Sequence, residues 1–110
     1  MIKRILTIAA ICLVFVLFAG LSSPAEEVQG KDLYMQKCQL CHGKDGDGKG
    51  SAATFLGSKP ADFTDAKFWK DHSEKDISEV ILNGKGEMPA FDMPSGEIKA
   101  LVSYLSHFKK

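Results

Sequence analysis

Two cysteines and a histidine stand together in the run Cys38-Gln39-Leu40-Cys41-His42. A C-x-x-C-H run is the pattern of a covalent haem attachment site. Each thiol can add across a vinyl group of a porphyrin, giving two thioethers. The imidazole that follows can reach the iron from the same side. The vinyls lie on neighbouring pyrroles, so one turn of chain must present both sulfurs to one edge. Three other chemistries use parts of this pattern. A thioredoxin-type redox pair uses C-x-x-C, but in a βαβ surround that this sequence does not offer. A structural zinc site needs four ligands, and the remaining candidates, Cys12, His72 and His107, are singly placed. A plain disulfide would leave His42 without a role.

The elements that must position these residues fit in one domain, since the chain has 110 residues. Its start has the anatomy of an export signal. Lys3 and Arg4 form a positive region, Ile5 to Leu21 is an apolar run of 17 residues, and Ser23-Pro24-Ala25 offers small residues before a cleavage point at Glu26. The alternative for residues 1–25 is an uncleaved anchor, for which 17 residues is the lower edge of a bilayer span. Removal of residues 1–25 leaves a domain of 85, residues 26–110, with Cys38 and Cys41 as its cysteines. A core that small stabilises weakly, and covalent haem would add apolar bulk. Export also suits the thiols, because haem is joined to them outside the cytoplasm, where C-x-x-C pairs otherwise oxidise. Of the 14 basic residues, 12 follow residue 25, as do all 14 acidic ones, leaving a net charge of −2. That balance offers nothing to nucleic acid or to an anionic membrane surface.

The segment after residue 25 carries helix signals and little strand signal. Residues 26–29 read as a loose tail. A first helix is expected from about Gly30 to Gln39, with Leu33, Tyr34, Lys37 and Cys38 on one stripe. From Gly43 to Gly57 the glycine spacing predicts a tightly bent loop. Its Asp45-Gly-Asp47-Gly-Lys49-Gly50 stretch begins like a calcium loop but fails at the fifth position, Lys49, and the twelfth, Leu56. A short helix is expected to enter through Pro60 and end near Trp69, with Asp62 as its cap. Ser73 and Asp76 form a capping pair for a helix carrying Ile77, Val80 and Ile81, which Asn83-Gly84 ends. Lys85 to Pro94 reads as a loop holding Met88-Pro89 and Met93-Pro94. Ser95 then caps a last helix whose apolar face is Ile98, Leu101, Val102, Leu105 and Phe108.

These pieces together resemble the class I c-type cytochromes, small single-haem electron carriers, over nearly all of residues 30–108. The elements that carry the resemblance are Tyr34, Cys38-x-x-Cys41-His42-Gly43, Met88-Pro89-Ala90-Phe91 and Ile98-x-x-Leu101-Val102-x-Tyr104-Leu105. The resemblance implies an all-α cytochrome c fold of three to five short helices around one covalent haem c. The first and last helices should cross near right angles, with Gly30 and Tyr34 meeting Leu101 and Tyr104. Cys38 and Cys41 would hold the haem as thioethers. His42 would bind the iron through Nε2, with its Nδ1–H held by a loop carbonyl, for which Pro60 is the candidate.

The second axial ligand is expected to be Met88. It follows His42 by 46 residues, lies in a loop, precedes a proline that favours extended backbone, and matches the family's ligand loop. Met93 is its rival, also before a proline. Met35 reads as core filler, and His72 and His107 as surface histidines, with a bis-His site as the remaining option. Trp69 and Phe91 are candidates either for the haem pocket or for the ordinary core.

A His/Met-held iron has no open position for substrate, which describes a one-electron carrier and not an enzyme. The signal-like segment implies a protein that is periplasmic or otherwise exported, and a monomer is expected. It would take an electron from a membrane oxidoreductase and pass it to a terminal oxidase or reductase. The alternative is a cytochrome subunit of an oxidoreductase complex, or a membrane-tethered form. A ligand-binding or peroxidatic haem would require Met88 to be off the iron.

Overall fold

The computed structural model describes residues 23–110. Nearly all of the expected signal segment, residues 1–22, lies outside the described residues. The described chain is all-α. Its five helices are α1 (Pro24–Lys37), α2 (Gln39–His42), α3 (Ala66–Asp71), α4 (Glu74–Asn83) and α5 (Ser95–Leu105), with 3₁₀ turns at Ala53–Phe55 and Ser106–Phe108.

Residues 26–29 are helical rather than a loose tail. Ser23 Oγ accepts from the Glu26 amide at 3.2 Å and Pro24 supplies the pre-set φ of a first helical position. Glu26 and Glu27 lie at the positive end of the helix dipole. At its other end α1 stops at Lys37, two residues before the expected end. Cys38 leaves helical geometry at φ −123°, ψ −36°, and α2 restarts from it.

Two cap assignments also move. Asp62 spends its carboxylate on a local turn, accepting from Thr64 N at 2.9 Å and Thr64 Oγ1 at 2.6 Å. The short helix therefore begins three residues later, capped by Asp65, which accepts from Lys67 N at 2.9 Å. In α5, Pro94 takes the cap position, since its carbonyl already accepts from Glu97 N and Ile98 N at 3.0 and 3.1 Å. Ser95 is thus the first helical residue and makes no cap bond. The start of α4 is as expected, with a complete Ser73/Asp76 capping box, and Gly84 at φ 75° ends it.

The core is built where α1 lies on α5, the most extensive contact between two elements. Tyr34 and Leu101 are each 1% exposed there, among Ile98, Val102 and Leu105, with Ile77 and Ile81 from α4. Gly30 makes the close approach possible. A Cβ on it would run into the Ala100 carbonyl oxygen and the Tyr104 side chain. The Tyr34 and Tyr104 rings meet at 5.5 Å between centroids. Met35, one residue on from Tyr34, faces outward at 54% exposure and is not core filler.

Gly30→Ala separates helix propensity from packing. In an open helix the change gains about 0.5–1 kcal/mol. Here overpacking against backbone should reverse the sign and cost about 1–3 kcal/mol. Urea denaturation of the purified protein checks this. A variant as stable as wild type, or more so, would refute the close approach at Gly30.

Candidate haem site

The motif is shaped by the break at Cys38. The Cys38 carbonyl accepts from Cys41 N at 3.2 Å and from His42 N at 2.9 Å, closing one helical turn. Residues three apart on such a turn share a face, so Cys38 and Cys41 present their sulfurs on one side. Both are free thiols and half-buried. Burial pushes the Cys38 thiol up to about 11, against the opposing pull of Lys37. A thioredoxin-type pair needs the reverse shift, toward thiolate at neutral pH. Among the described residues no three His, Cys, Asp or Glu side chains cluster as metal ligands.

His42 ends the turn with its ring oriented. Its Nδ1–H donates to the Ala61 carbonyl at 3.1 Å, which leaves the lone pair on Nε2. The ring stacks on Phe63, with centroids 4.7 Å apart and planes at 23°. Burial lowers its pKa, an effect the Ala61 hydrogen bond partly offsets. Burial thus favours the neutral imidazole, the form that binds a metal. The acceptor is one residue beyond the expected Pro60. The Pro60 carbonyl faces Gly48 instead, where a Cβ would approach it to 2.7 Å.

The loop after the motif wraps back on it. Gly48 N donates to His42 O, Gly50 N to Cys41 O and Ala52 N to Leu40 O, at 2.8, 3.0 and 3.0 Å. Gly43, Gly46 and Gly48 take positive φ along this path, which side-chain-bearing residues rarely adopt. Gly46 O then accepts from Phe63 N at 2.7 Å, bringing the 61–63 segment to the histidine. Asp47, read against a calcium loop, accepts from Lys49 N at 3.0 Å as a turn residue.

Aromatic residues outside the motif complete this side. Trp69 Nε1–H donates to Phe63 O at 2.7 Å, and the edge of Phe68 lies against both rings. Trp69 thus braces the segment that carries Ala61 and Phe63, and the Lys109 ammonium lies 5.8 Å from its ring centroid. The buried Tyr34 hydroxyl donates to Gly43 O at 2.6 Å, fixing the residue that follows His42. A proline followed within three residues by an aromatic was the available signal for Phe63. Nothing local marks Ala61.

Met88 lies on a separate loop. It is half-buried against the same core that Cys38 and Phe63 join. Lys85 and Met88 exchange both backbone hydrogen bonds, at 3.0 and 2.9 Å, making a tight turn with Gly86 at φ 57°. Phe91 N donates to Ile81 O at 2.9 Å and ties the loop's far end to α4. Met93 is 8% exposed within the core cluster. Phe91 is half-buried, with Lys37 Nζ 5.8 Å from its ring centroid. His72 and His107 are exposed, beside Phe68 and Glu27 respectively.

Two half-buried thiols one turn apart and an oriented imidazole beside them form a donor set that fits covalent haem. Comparison with known proteins agrees. Residues 25–105 match the family model described as cytochrome c oxidase, cbb3-type, subunit III. Cytochrome c-551 of Bacillus subtilis (strain 168) is 31% identical over 91 residues, covering 82% of this chain and 70% of that protein. The solved structure of the KustC0563 c-type cytochrome aligns with a TM-score of 0.63 at 37% identity, covering 74% of this chain and 98% of that one.

Burial raises the Tyr34 phenol above its ordinary value, with Cys38 and Tyr104 adding to the rise. A folded pKa above the unfolded one means stability present below about pH 10 and lost as pH climbs beyond it. Tyr34→Phe removes the bond to Gly43 and should cost about 0.5–1.5 kcal/mol at pH 7. It should also flatten the loss of stability above about pH 10. Denaturation at neutral and alkaline pH checks both, and an unchanged alkaline slope would contradict the assignment.

Proposed function

This chain belongs to the small class I c-type cytochromes, electron carriers with covalently bound haem c, and on that footing we propose that it is an exported monohaem carrier with iron held between His42 and Met88. Cys38 and Cys41 hold the haem as thioethers. The observation that carries this reading is the Cys38–His42 turn, closed on Cys38 and aimed by the His42 bond to Ala61. When bound, the haem supplies an iron that takes up and returns one electron. The protein's part would be to hold His42 and Met88 in place and to exclude water.

Met88 is favoured over Met93 because Met93 is already consumed in the core, whereas Met88 stands on an anchored turn. A thioether opposite an imidazole raises the reduction potential relative to two imidazoles. With His42 and Met88 both holding the iron, no substrate would enter, and the role would be carriage and not catalysis. The electron would come from a membrane oxidoreductase and go to a terminal oxidase or reductase. The small net charge offers weak steering, so docking is brief and modestly salt-dependent.

Export in this reading rests on residues 1–25, with cleavage before Glu26. Cleavage there removes Ser23 and Pro24, so the exported α1 begins about one turn later. A second reading, a subunit fixed to an oxidase or a membrane-tethered form, draws on the oxidase-subunit description of the matching family. The N-terminal residue of the purified protein separates them: Glu26 marks a free carrier and Met1 a tethered one.

Intact mass and absorption spectra test the site. Wild type should carry the mass of one haem, and Cys38→Ala/Cys41→Ala should carry none covalently. The oxidised protein should show the long-wavelength charge-transfer band of methionine–iron ligation, lost in Met88→Ala and kept in Met93→Ala. Loss in Met93→Ala alone would sink the Met88 assignment.

A further inference from the structure

Glu87, next to Met88, makes the side-chain hydrogen bonds of longest sequence separation among the described residues. Its Oε1 accepts from Gly57 N at 2.7 Å, Ser58 N at 3.1 Å and Ser58 Oγ at 3.5 Å, across 30 and 29 residues. Two successive amides converging on one carboxylate oxygen give charge-assisted bonds, the stronger kind. Gly57 and Ser58 follow the 3₁₀ turn Ala53–Phe55, and that stretch is itself bound to the motif through Ala52 N and Leu40 O at 3.0 Å. A continuous run of hydrogen bonds and short chain therefore joins the segment bearing Cys41 and His42 to the turn bearing Met88. It bypasses the helical core.

The turn is well made for this reach. Glu87 is the second central residue of the Lys85–Met88 turn, and positive φ at Gly86 gives it the pattern of a type II′ hairpin turn. Gly84 lies close enough that a Cβ there would come 2.8 Å from Met88 O. The main chain of Met88 is thus held within its own loop, while the Glu87 side chain holds that loop to the opposite one.

We propose that Glu87 is a positioning residue, a latch that keeps the Met88 loop closed against the Gly57–Ser58 loop and so keeps the Met88 sulfur on the iron. This rests on the reading of Met88 as axial ligand. The residues of the latch are exposed and outside the core. Its loss should therefore open the ligand loop locally before it unfolds the domain.

Imidazole binding to the oxidised, haem-loaded protein reads the opening directly, because an outside ligand must wait for Met88 to leave. Glu87→Ala should bind imidazole on the order of tenfold faster than wild type, the factor that corresponds to about 1.4 kcal/mol. Glu87→Gln keeps an acceptor oxygen and should fall between the two. In a Met88→Ala background the latch has nothing to hold, and Glu87→Ala should change the rate by less than about twofold. If Glu87→Ala yields no holoprotein, Glu87→Asp, one methylene shorter, stands in under the same thresholds. The latch is overturned by a Glu87→Ala rate within about twofold of wild type, or by an equal effect in the Met88→Ala background. A Glu87→Gln rate equal to that of Glu87→Ala overturns it as well. If wild type and Met88→Ala bind imidazole equally fast, Met88 is not the ligand, and the axial reading and the latch fall together.

Discussion

The close approach of α1 to α5 at Gly30 is the constraint on which the rest of the molecule depends. With no side chain at Gly30, the helix can lie against the Ala100 carbonyl and the Tyr104 side chain. The helix held by that contact stops at Lys37, just before Cys38. One turn further along α1, Tyr34 fills the interface with its ring and uses its hydroxyl on Gly43, just past His42. The same helix thus places the haem-attachment turn at both of its ends. Each large apolar side chain buried at this crossing contributes about 1.5–3 kcal/mol before entropy is counted. A domain this small has few such contacts to lose.

From that support the site is built by two loops of different character. The loop after His42 is held by backbone hydrogen bonds to the motif and by glycines at positive φ. It returns through Ala61 and Phe63, which fix the imidazole by a hydrogen bond and a stacked ring. The loop before α5 is held at one end by the Lys85–Met88 turn and at the other by Phe91 on α4.

Much of this was legible in the residues. Cys38-x-x-Cys41-His42 names its chemistry outright, and the Ile98–Leu105 face and the Ser73/Asp76 box mark α5 and α4 by period and capping chemistry. What escaped the reading depends on which of two adequate groups takes a position. Asp62 and Asp65 can both cap a helix, but Asp62 is spent on Thr64. Pro94 and Ser95 can both open α5, and the first turn closes on the proline carbonyl. Pro60 and Ala61 both offer a carbonyl, and the course of the loop, set far away at Gly46 and Phe63, gives the bond to Ala61. Met35 faces outward because the crossing at Gly30 fixes the rotation of α1, a tertiary fact that helical spacing alone does not contain. Contacts across long sequence separations, such as Glu87 to Gly57, leave no local trace at all.

The central claim is an iron with both axial positions occupied by this chain. The absorption spectrum of the reduced, haem-loaded protein before and after saturation with carbon monoxide tests it most directly. A closed His/Met site leaves the gas no position on the iron, and the two spectra should superimpose. Immediate formation of a carbon monoxide adduct in intact protein at neutral pH would show an open position, and would contradict both the ligation and the electron-carrier role derived from it.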